Sequence, residues 1–185
     1  LSPRYHINIL TAMEDDYAVV NAEELRQYAV EYDRARDAQT DHVMSVFAFP
    51  EQPLTEEMVK ASRAQTDTAL FIVSRNSGEG NDRAMTQTAK VDGKDCEIGD
   101  YQLSAVEKEN LALLRKTFDK LVLVLNVAGP VSVADLNAAG ADAILLMGQA
   151  GQEGGKAVCD ILTGRVTPSG KLAATWAEKY EDYPA

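Results

Sequence analysis

The stretch LVLVL, residues Leu121–Leu125, decides the fold class of this chain. A strand in which every residue is apolar has both faces covered, which is typical of a parallel strand in an α/β sheet. The apolar runs Ala69–Ser74 and Ala143–Met147 predict two more buried strands. Stretches with helical spacing separate these runs. We therefore predict an α/β fold, an open and mostly parallel sheet of about five to six strands sandwiched between helices in flavodoxin-like layers.

The remaining elements follow from spacing and capping residues. Asn21 is a predicted N-cap, Ser104 and Glu107 have the spacing of a capping box, and Gly164 is a predicted C-cap. Helices are predicted over Pro3–Glu14, Ala22–Asp37, Thr55 to about Gln65, Ser104 to about Phe118, Val133–Ala138 and Gly154–Leu162. Two more strands are predicted over Met44–Phe49 and Leu172–Trp176. The residues from Arg75 to Gln102 form a long loop, and a loop of that length is usually functional.

Composition excludes several classes of partner. The chain has 185 residues, 45% of them hydrophobic, which suits a single domain spanning residues 1–185. Its formal charge of −11 disfavours nucleic acid and anionic membranes, since phosphate binding needs clustered Lys and Arg. No apolar run approaches the roughly 20 residues that cross a bilayer. No signal peptide is visible, but the chain begins at Leu1, so no compartment is assigned.

Cysteine and histidine usage gives no metal site. Cys96 and Cys159 lie far apart, and the only histidines are His6 and His42, so no spacing typical of zinc ligands exists. Cys159 is surrounded by apolar residues and is predicted to be a buried thiol. We expect neither a metal nor a cofactor.

A polar stretch follows the strand Ala69–Ser74 and is the strongest candidate for chemistry. Its sequence is SGEGNDR, residues Ser77–Arg83, with Glu79 between two glycines. Ligands of open α/β sheets bind outside the carboxyl ends of the strands. Glycine lets the backbone turn sharply and lets a ligand approach. From spacing alone, however, a loop carboxylate is most often simply solvated.

An ordered set of motifs resembles a known family. The motifs are SGEGNDR (Ser77–Arg83), VLNVAGP (Val124–Pro130), GQEGGKA (Gly151–Ala157), DILTG (Asp160–Gly164) and PSGKL (Pro168–Leu172). Together they resemble glycoside hydrolase family 3, in the C-terminal α/β-sandwich domain of its β-glucosidase-like enzymes. The resemblance runs from about Met44 to the C-terminus. The helical segment of residues 1–40 resembles an insert that some members carry.

The resemblance implies a retaining β-glycosidase that hydrolyses β-linked glycosides. Most family members carry the nucleophilic aspartate on an N-terminal β/α barrel and the general acid/base glutamate on the sandwich domain. Matching the motif residue by residue places that glutamate at Glu79. The neighbours that would position the loop or the substrate are Ser77, Gly78, Gly80, Asp82 and Arg83. The barrel and the usual glycine-rich first strand are absent from this chain, so we expect a piece of a larger enzyme that is inactive alone.

Two charged sites near Glu79 have alternative interpretations. Asp82 and Arg83 are neighbours and could form a local surface ion pair, which contributes little stability. In the functional interpretation, Arg83 orders the loop or positions Glu79. Glu97 is a weaker alternative for the acid/base.

The later motifs are interpreted mainly as structural. Asn126, Gly151 and Glu153 are expected to shape loops or to lie at the interface with the barrel. The turn Gly148–Gly155 precedes a helix and could bind phosphate through its amides, but it lacks the P-loop and dinucleotide fingerprints. Trp176 is expected to pack in a core or an interface rather than to stack on a sugar.

Two rival functions remain open. The chain could be a non-catalytic carbohydrate-binding or assembly module of the same fold. It could also be an unrelated flavodoxin-like binder, although no phosphate-binding loop follows Phe49.

Overall fold

The chain forms an α/β fold with a small central sheet. A computed structural model describes residues 7–38, 47–77, 80, 82–91 and 93–183. The helices are α1 (Ile9–Glu14), α2 (Ala22–Asp37), α3 (Glu56–Arg63), α4 (Ala105–Thr117), α5 (Val133–Ala138) and α6 (Gly154–Leu162). The strands are β1 (Thr68–Arg75), β2 (Thr86–Val91), β3 (Lys94–Gly99), β4 (Lys120–Val127) and β5 (Ala143–Leu146), and a short 3₁₀ helix covers Tyr180–Asp182.

The central sheet is parallel, in the order β1-β4-β5. Phe71 lies beside Leu123 of β4, and Leu123 lies beside Ile144 of β5. The predicted α/β class and the parallel sheet are confirmed. The predicted number of strands is wrong, because the described residues form three parallel strands and a separate antiparallel pair rather than one sheet of five to six.

Helices cover both faces of β4. On one face, Phe71 and Leu123 pack with α3 and with Leu111 of α4 in the main core. On the other face, Val124 packs against α1 and α6 in a second core. Alternate residues of β4 thus enter different cores, which is why its sequence is apolar throughout.

Both edges of the sheet leave apolar side chains exposed. Ile144 is 45% exposed and Leu146 40%, although β5 was predicted to be buried. Among the described residues, β5 pairs only with β4, and neither Ile144 nor Leu146 belongs to the main core. On the opposite face of the sheet, Leu70 and Ile72 of β1 are exposed beyond the second core.

The predicted loop from Arg75 to Gln102 is wrong in its second half. There, β2 and β3 form an antiparallel hairpin, with Val91 opposite Lys94. Most of its side chains are polar and partly exposed, so the segment lacks the apolar alternation that predicts a strand. The two-residue connection contains Gly93 at φ 78°, a left-handed conformation that glycine adopts readily.

The predicted caps are mostly confirmed. Ser104 and Glu107 form a capping box at the start of α4, and the Thr55 hydroxyl accepts from Met58 N at 3.2 Å. Asn21 precedes α2 as expected but makes no capping hydrogen bond through its side chain. Gly164, at φ 75°, follows α6 as predicted.

Of the two remaining predicted strands, the one near the C-terminus is wrong and the other lies partly outside the described residues. Residues Leu172–Trp176 form no strand, although Trp176 packs against the main core as expected. Of the strand predicted over Met44–Phe49, residues 44–46 lie outside the described residues. Phe47 and Phe49 are not in a strand and instead contact Tyr32 of α2 edge to face.

Both cysteines are free thiols. Cys159 is buried in the second core, as predicted, and burial raises the pKa of its thiol. Within the described ranges, no helix is long and apolar enough to cross a bilayer.

Candidate functional site

The predicted catalytic stretch begins where β1 ends, at the carboxyl edge of the sheet. Gly78, Glu79 and Asn81 lie outside the described residues, so the role of Glu79 stays a prediction. Ser77, Gly80 and Asp82 are exposed at this edge. Gly80 has φ 73°, a conformation that accounts for a glycine there.

Arg75, the last residue of β1, is buried and fully engaged. Its two terminal nitrogens each lie 2.8 Å from a carboxylate oxygen of Glu107, and both side chains are 5% exposed. Its Nε donates to the carbonyl oxygen of Asp100 at 2.8 Å. A bidentate pair of this kind fixes direction as well as distance. The end of β1 is therefore bound firmly to the start of α4.

Gly99 makes this ion pair possible. A Cβ at that position would overlap both the guanidinium of Arg75 and the carboxylate of Glu107. The absence of a side chain, rather than an unusual backbone angle, is what the site requires here.

Arg83 forms its ion pair with Asp100 and not with its neighbour Asp82. Its Nη1 lies 2.7 Å from Asp100 Oδ1, and the two side chains are 16% and 4% exposed. The other oxygen of Asp100 accepts from Ala84 N at 2.7 Å and from Gln87 Nε2 at 2.8 Å. The predicted exposed pair within the loop is wrong, because the β2–β3 hairpin brings a more distant and buried carboxylate to Arg83.

The loop after β4 lies beside Arg83. Gly129 in that loop faces the Arg83 guanidinium, whose Nε lies 3.6 Å from the point that a Cβ of residue 129 would occupy. Asn126 Nδ2 donates to Ser74 Oγ at 3.4 Å, which joins the carboxyl ends of β4 and β1. Asn126 lies near the end of β4, and its role in shaping the following loop or meeting the barrel stays a prediction.

The turn after β5 is exposed and makes none of the contacts described above for Arg75, Arg83 and Asn126. Gly151 has φ 77°, and Glu153 is exposed and makes no capping hydrogen bond at the start of α6. Gly155 N donates to the carbonyl oxygen of Ile7 at 3.1 Å, and Gly154 N to that of Gly151 at 3.2 Å. These first amides of α6 bind carbonyls of the chain itself, which argues against a phosphate site.

Glu97, the alternative acid/base, is engaged elsewhere. Its Oε1 accepts from Ala105 N at the start of α4, at 3.2 Å. It helps line a cavity of about 390 Å³ between the segment 50–53, β3 and α4. Glu51 lines the same cavity, and burial raises its pKa to about 7.

Sequence reasoning missed Asp100, the residue on which the two arginines converge. The pair Asp92-Gly93, the strongest short hairpin signal, could have revealed the turn that brings Asp100 back to Arg83. In the part of the chain that the structure describes, no group of three or more His, Cys, Asp or Glu side chains could hold a metal ion.

Comparisons with known proteins agree with the motif resemblance. The family model for the glycosyl hydrolase family 3 C-terminal domain matches residues 2–185. The β-glucosidase A of Butyrivibrio fibrisolvens is 35% identical over 147 residues, which cover 73% of this chain and 18% of that protein. The β-glucosidase of Ruminococcus albus is 33% identical over 135 residues, covering 73% of this chain and 13% of its own length.

Solved structures extend the likeness to the fold. β-Glucosidase 3B from Thermotoga neapolitana, solved in complex with glycerol, superposes with a TM-score of 0.78 at 33% identity. The match covers 99% of this chain and 24% of that one. A β-glucosidase from Paenibacillus barengoltzii gives a TM-score of 0.81 at 28% identity, covering 98% of this chain and 19% of that one. The chain thus spans at most about a quarter of the length of these relatives, and it belongs to glycosyl hydrolase family 3 as that family's C-terminal domain.

Proposed function

We propose that this chain supplies Glu79 as the general acid/base of a retaining β-glycosidase, whose nucleophile lies on a barrel domain outside the chain. The observation that carries the proposal is that the motif SGEGNDR follows β1 in the sequence and that its described residues Ser77 and Asp82 are exposed beyond the carboxyl end of that strand. There, a buried ion pair on each side of Glu79 anchors the flanking backbone. The named relatives are β-glucosidases, which supports a β-linked glucoside as the substrate class.

Retaining hydrolysis needs two carboxyl groups about 5 Å apart. One attacks the anomeric carbon and forms a glycosyl-enzyme intermediate. The other gives a proton to the leaving-group oxygen and then takes one from the attacking water. Glu79 fits the second role because glycines flank it and its strand ends at a sheet edge where ligands bind.

The protonation of Glu79 would depend on the completed site. A nearby carboxylate and burial against a sugar both raise the pKa of a carboxyl group. The barrel and the substrate would supply both effects.

The first experiment compares two leaving groups in the full-length enzyme. Glu79→Ala should lower kcat/KM on an alkyl β-glucoside by about a hundredfold or more, because protonation of a poor leaving group is lost. On a dinitrophenyl β-glucoside, the glycosylation step should change far less. Glu97→Ala is the matched control, since it removes a nearby glutamate that binds Ala105 N. Equal losses on both substrates for Glu79→Ala would remove Glu79 from the role.

The second experiment tests whether the active site is shared. The isolated chain should not hydrolyse aryl β-glucosides, and adding the barrel domain should restore turnover. Appreciable activity of the chain alone would contradict the proposal. Restored glycoside binding without any dependence of turnover on Glu79 would favour a non-catalytic binding or assembly module instead.

A further inference from the structure

The two backbone segments that flank Glu79 converge on one residue, Asp100. Glu79 lies four residues after Arg75 and four before Arg83. Arg75 Nε donates to the carbonyl oxygen of Asp100 at 2.8 Å, and Arg83 Nη1 donates to its Oδ1 at 2.7 Å. Asp100 therefore joins Arg75, at the end of β1, to Arg83, which precedes the β2–β3 hairpin.

Asp100 is itself held in place. It is 3% exposed, and its carboxylate accepts from Ala84 N and Gln87 Nε2 in addition to Arg83. Its backbone N donates to the carbonyl oxygen of Gln102 at 3.0 Å. All of these partners come from the hairpin and its flanks, so the hairpin presents Asp100 to Arg83 as a fixed carboxylate.

The other contacts of the two arginines strengthen the same arrangement. Arg75 is bound by the buried carboxylate of Glu107. The carbonyl oxygen of Arg83 accepts from Tyr180 Oη at 2.6 Å, and Ala84 O accepts from Tyr101 N at 3.0 Å. The span between Arg75 and Arg83 is thus set by contacts on both sides, with Asp100 common to them.

We infer that Asp100 is a positioning residue for the acid/base, because it binds Arg75 and Arg83, the described residues on either side of the stretch that carries Glu79. Asp100 acts through Arg75 and Arg83 and does not itself contact substrate. The inference rests on the proposed role of Glu79. A displacement of about 1 Å in a reacting group can cost about a hundredfold in rate, so an anchor four residues away has a measurable effect.

The experiment uses Asp100→Asn in the full-length enzyme. Asparagine has nearly the same shape as aspartate but no charge. Its amide N–H would face Arg83, Ala84 N or Gln87 Nε2, which are donors to the Asp100 carboxylate in the wild type. We expect kcat on an alkyl β-glucoside to fall about ten- to a hundredfold with KM within about threefold of wild type. The loss on a dinitrophenyl β-glucoside should be at least about threefold smaller, because that leaving group needs little protonation.

Asp142→Asn is the matched control. Asp142 also accepts from a backbone amide, Leu121 N at 2.8 Å, and from an arginine, Arg115 at 2.6 Å, but at the amino end of the sheet. It should leave the ratio of the two rates unchanged. If Asp100→Asn lowers both substrates equally, as a purely structural residue would, the inference is overturned.

Two further measurements keep the outcomes distinct. Arg83→Lys, which keeps the positive charge but loses the planar guanidinium, provides the test if Asp100→Asn does not fold. It should show the same dependence on the leaving group, with a smaller loss of rate. Glu79→Ala is assayed in parallel. If it shows leaving-group dependence and the Asp100 and Arg83 variants do not, only the inference fails. If Glu79→Ala shows none, the proposed function fails, and the inference with it.

Discussion

The loops after β1 and β5 lie at the same edge of one sheet but are held in different ways. After β1, charged side chains bind the backbone: Arg75 pairs with Glu107 and Arg83 with Asp100, all largely buried. After β5, the turn exposes Gly151 and Glu153 and relies on close backbone packing, since Gly155 N bonds the carbonyl oxygen of Ile7.

The two kinds of contact suit the two loops to different roles. Charge-assisted and bidentate hydrogen bonds fix direction, which a catalytic carboxyl requires. Backbone packing through glycine needs only a close approach. Glu79 follows β1, whose end is fixed by the Arg75–Glu107 ion pair. The glycine-rich turn after β5 instead lets the start of α6 pack closely against the backbone before α1.

The largest expected effect comes from separating the buried ion pair after β1. A Cβ from Gly99→Ala would overlap both partners, Arg75 and Glu107. We expect the free energy of unfolding to fall by about 3–5 kcal/mol, as when a buried pair is broken. Denaturant unfolding of the isolated chain measures this. Gly170→Ala is the control, because no atom lies within 4 Å of its Cβ position. Similar small changes for both variants would contradict the account.

The second prediction addresses the turn after β5. A Cβ from Gly155→Ala would overlap backbone atoms of Ile7 and Asn8, which no side-chain rotation can relieve. Helix propensity alone predicts stabilisation by about 1 kcal/mol. We expect destabilisation by about 1–3 kcal/mol instead, as for overpacking, with α1 displaced from α6. The sign of the change in the unfolding free energy decides between the two.

Much of this fold was predictable because it follows local rules. The apolar run Leu121–Leu125 predicts a buried strand correctly, because β4 is covered by helices on both faces. The capping box of Ser104 and Glu107 needs only four consecutive residues. The family motifs likewise identify the domain without any three-dimensional information.

The missed features depend on contacts between distant residues. The sequence offers Asp82 as a possible local partner of Arg83, whereas the actual partner Asp100 comes close only through a mostly polar hairpin. The exposure of Ile144 could not be read from β5, because an apolar run does not reveal whether helices extend to the sheet edge. Local pattern predicts the elements, but the anchoring of the β1 loop is a tertiary property.

The third prediction concerns the pH dependence of stability, through a buried carboxyl group near the start of α4. Burial raises the pKa of Glu51 from 4.5 to about 7. The negative charge of Glu107 raises this pKa further, whereas a hydrogen bond from Gln52 N and the positive charge of Arg75 lower it. The folded state therefore binds this proton more tightly than the unfolded state. Stability from this group is complete below pH 4.5 and is lost as pH rises through 7, by about 1–3 kcal/mol.

Glu51→Gln should remove that slope. Urea unfolding at several pH values between 4.5 and 7 measures it, and Glu109→Gln, an exposed glutamate of α4, is the control. If Glu51→Gln keeps the wild-type slope, Glu51 is not the group responsible.

Azide rescue of Glu79→Ala in the full-length enzyme tests the role of Glu79 as the acid/base. With a dinitrophenyl β-glucoside, the variant should still form the glycosyl-enzyme intermediate, which azide can attack without a general base. We predict a faster reaction and a β-glucosyl azide, because two displacements retain the configuration. An α-glucosyl azide, which would make Glu79 the nucleophile, or no rescue at all, would contradict it.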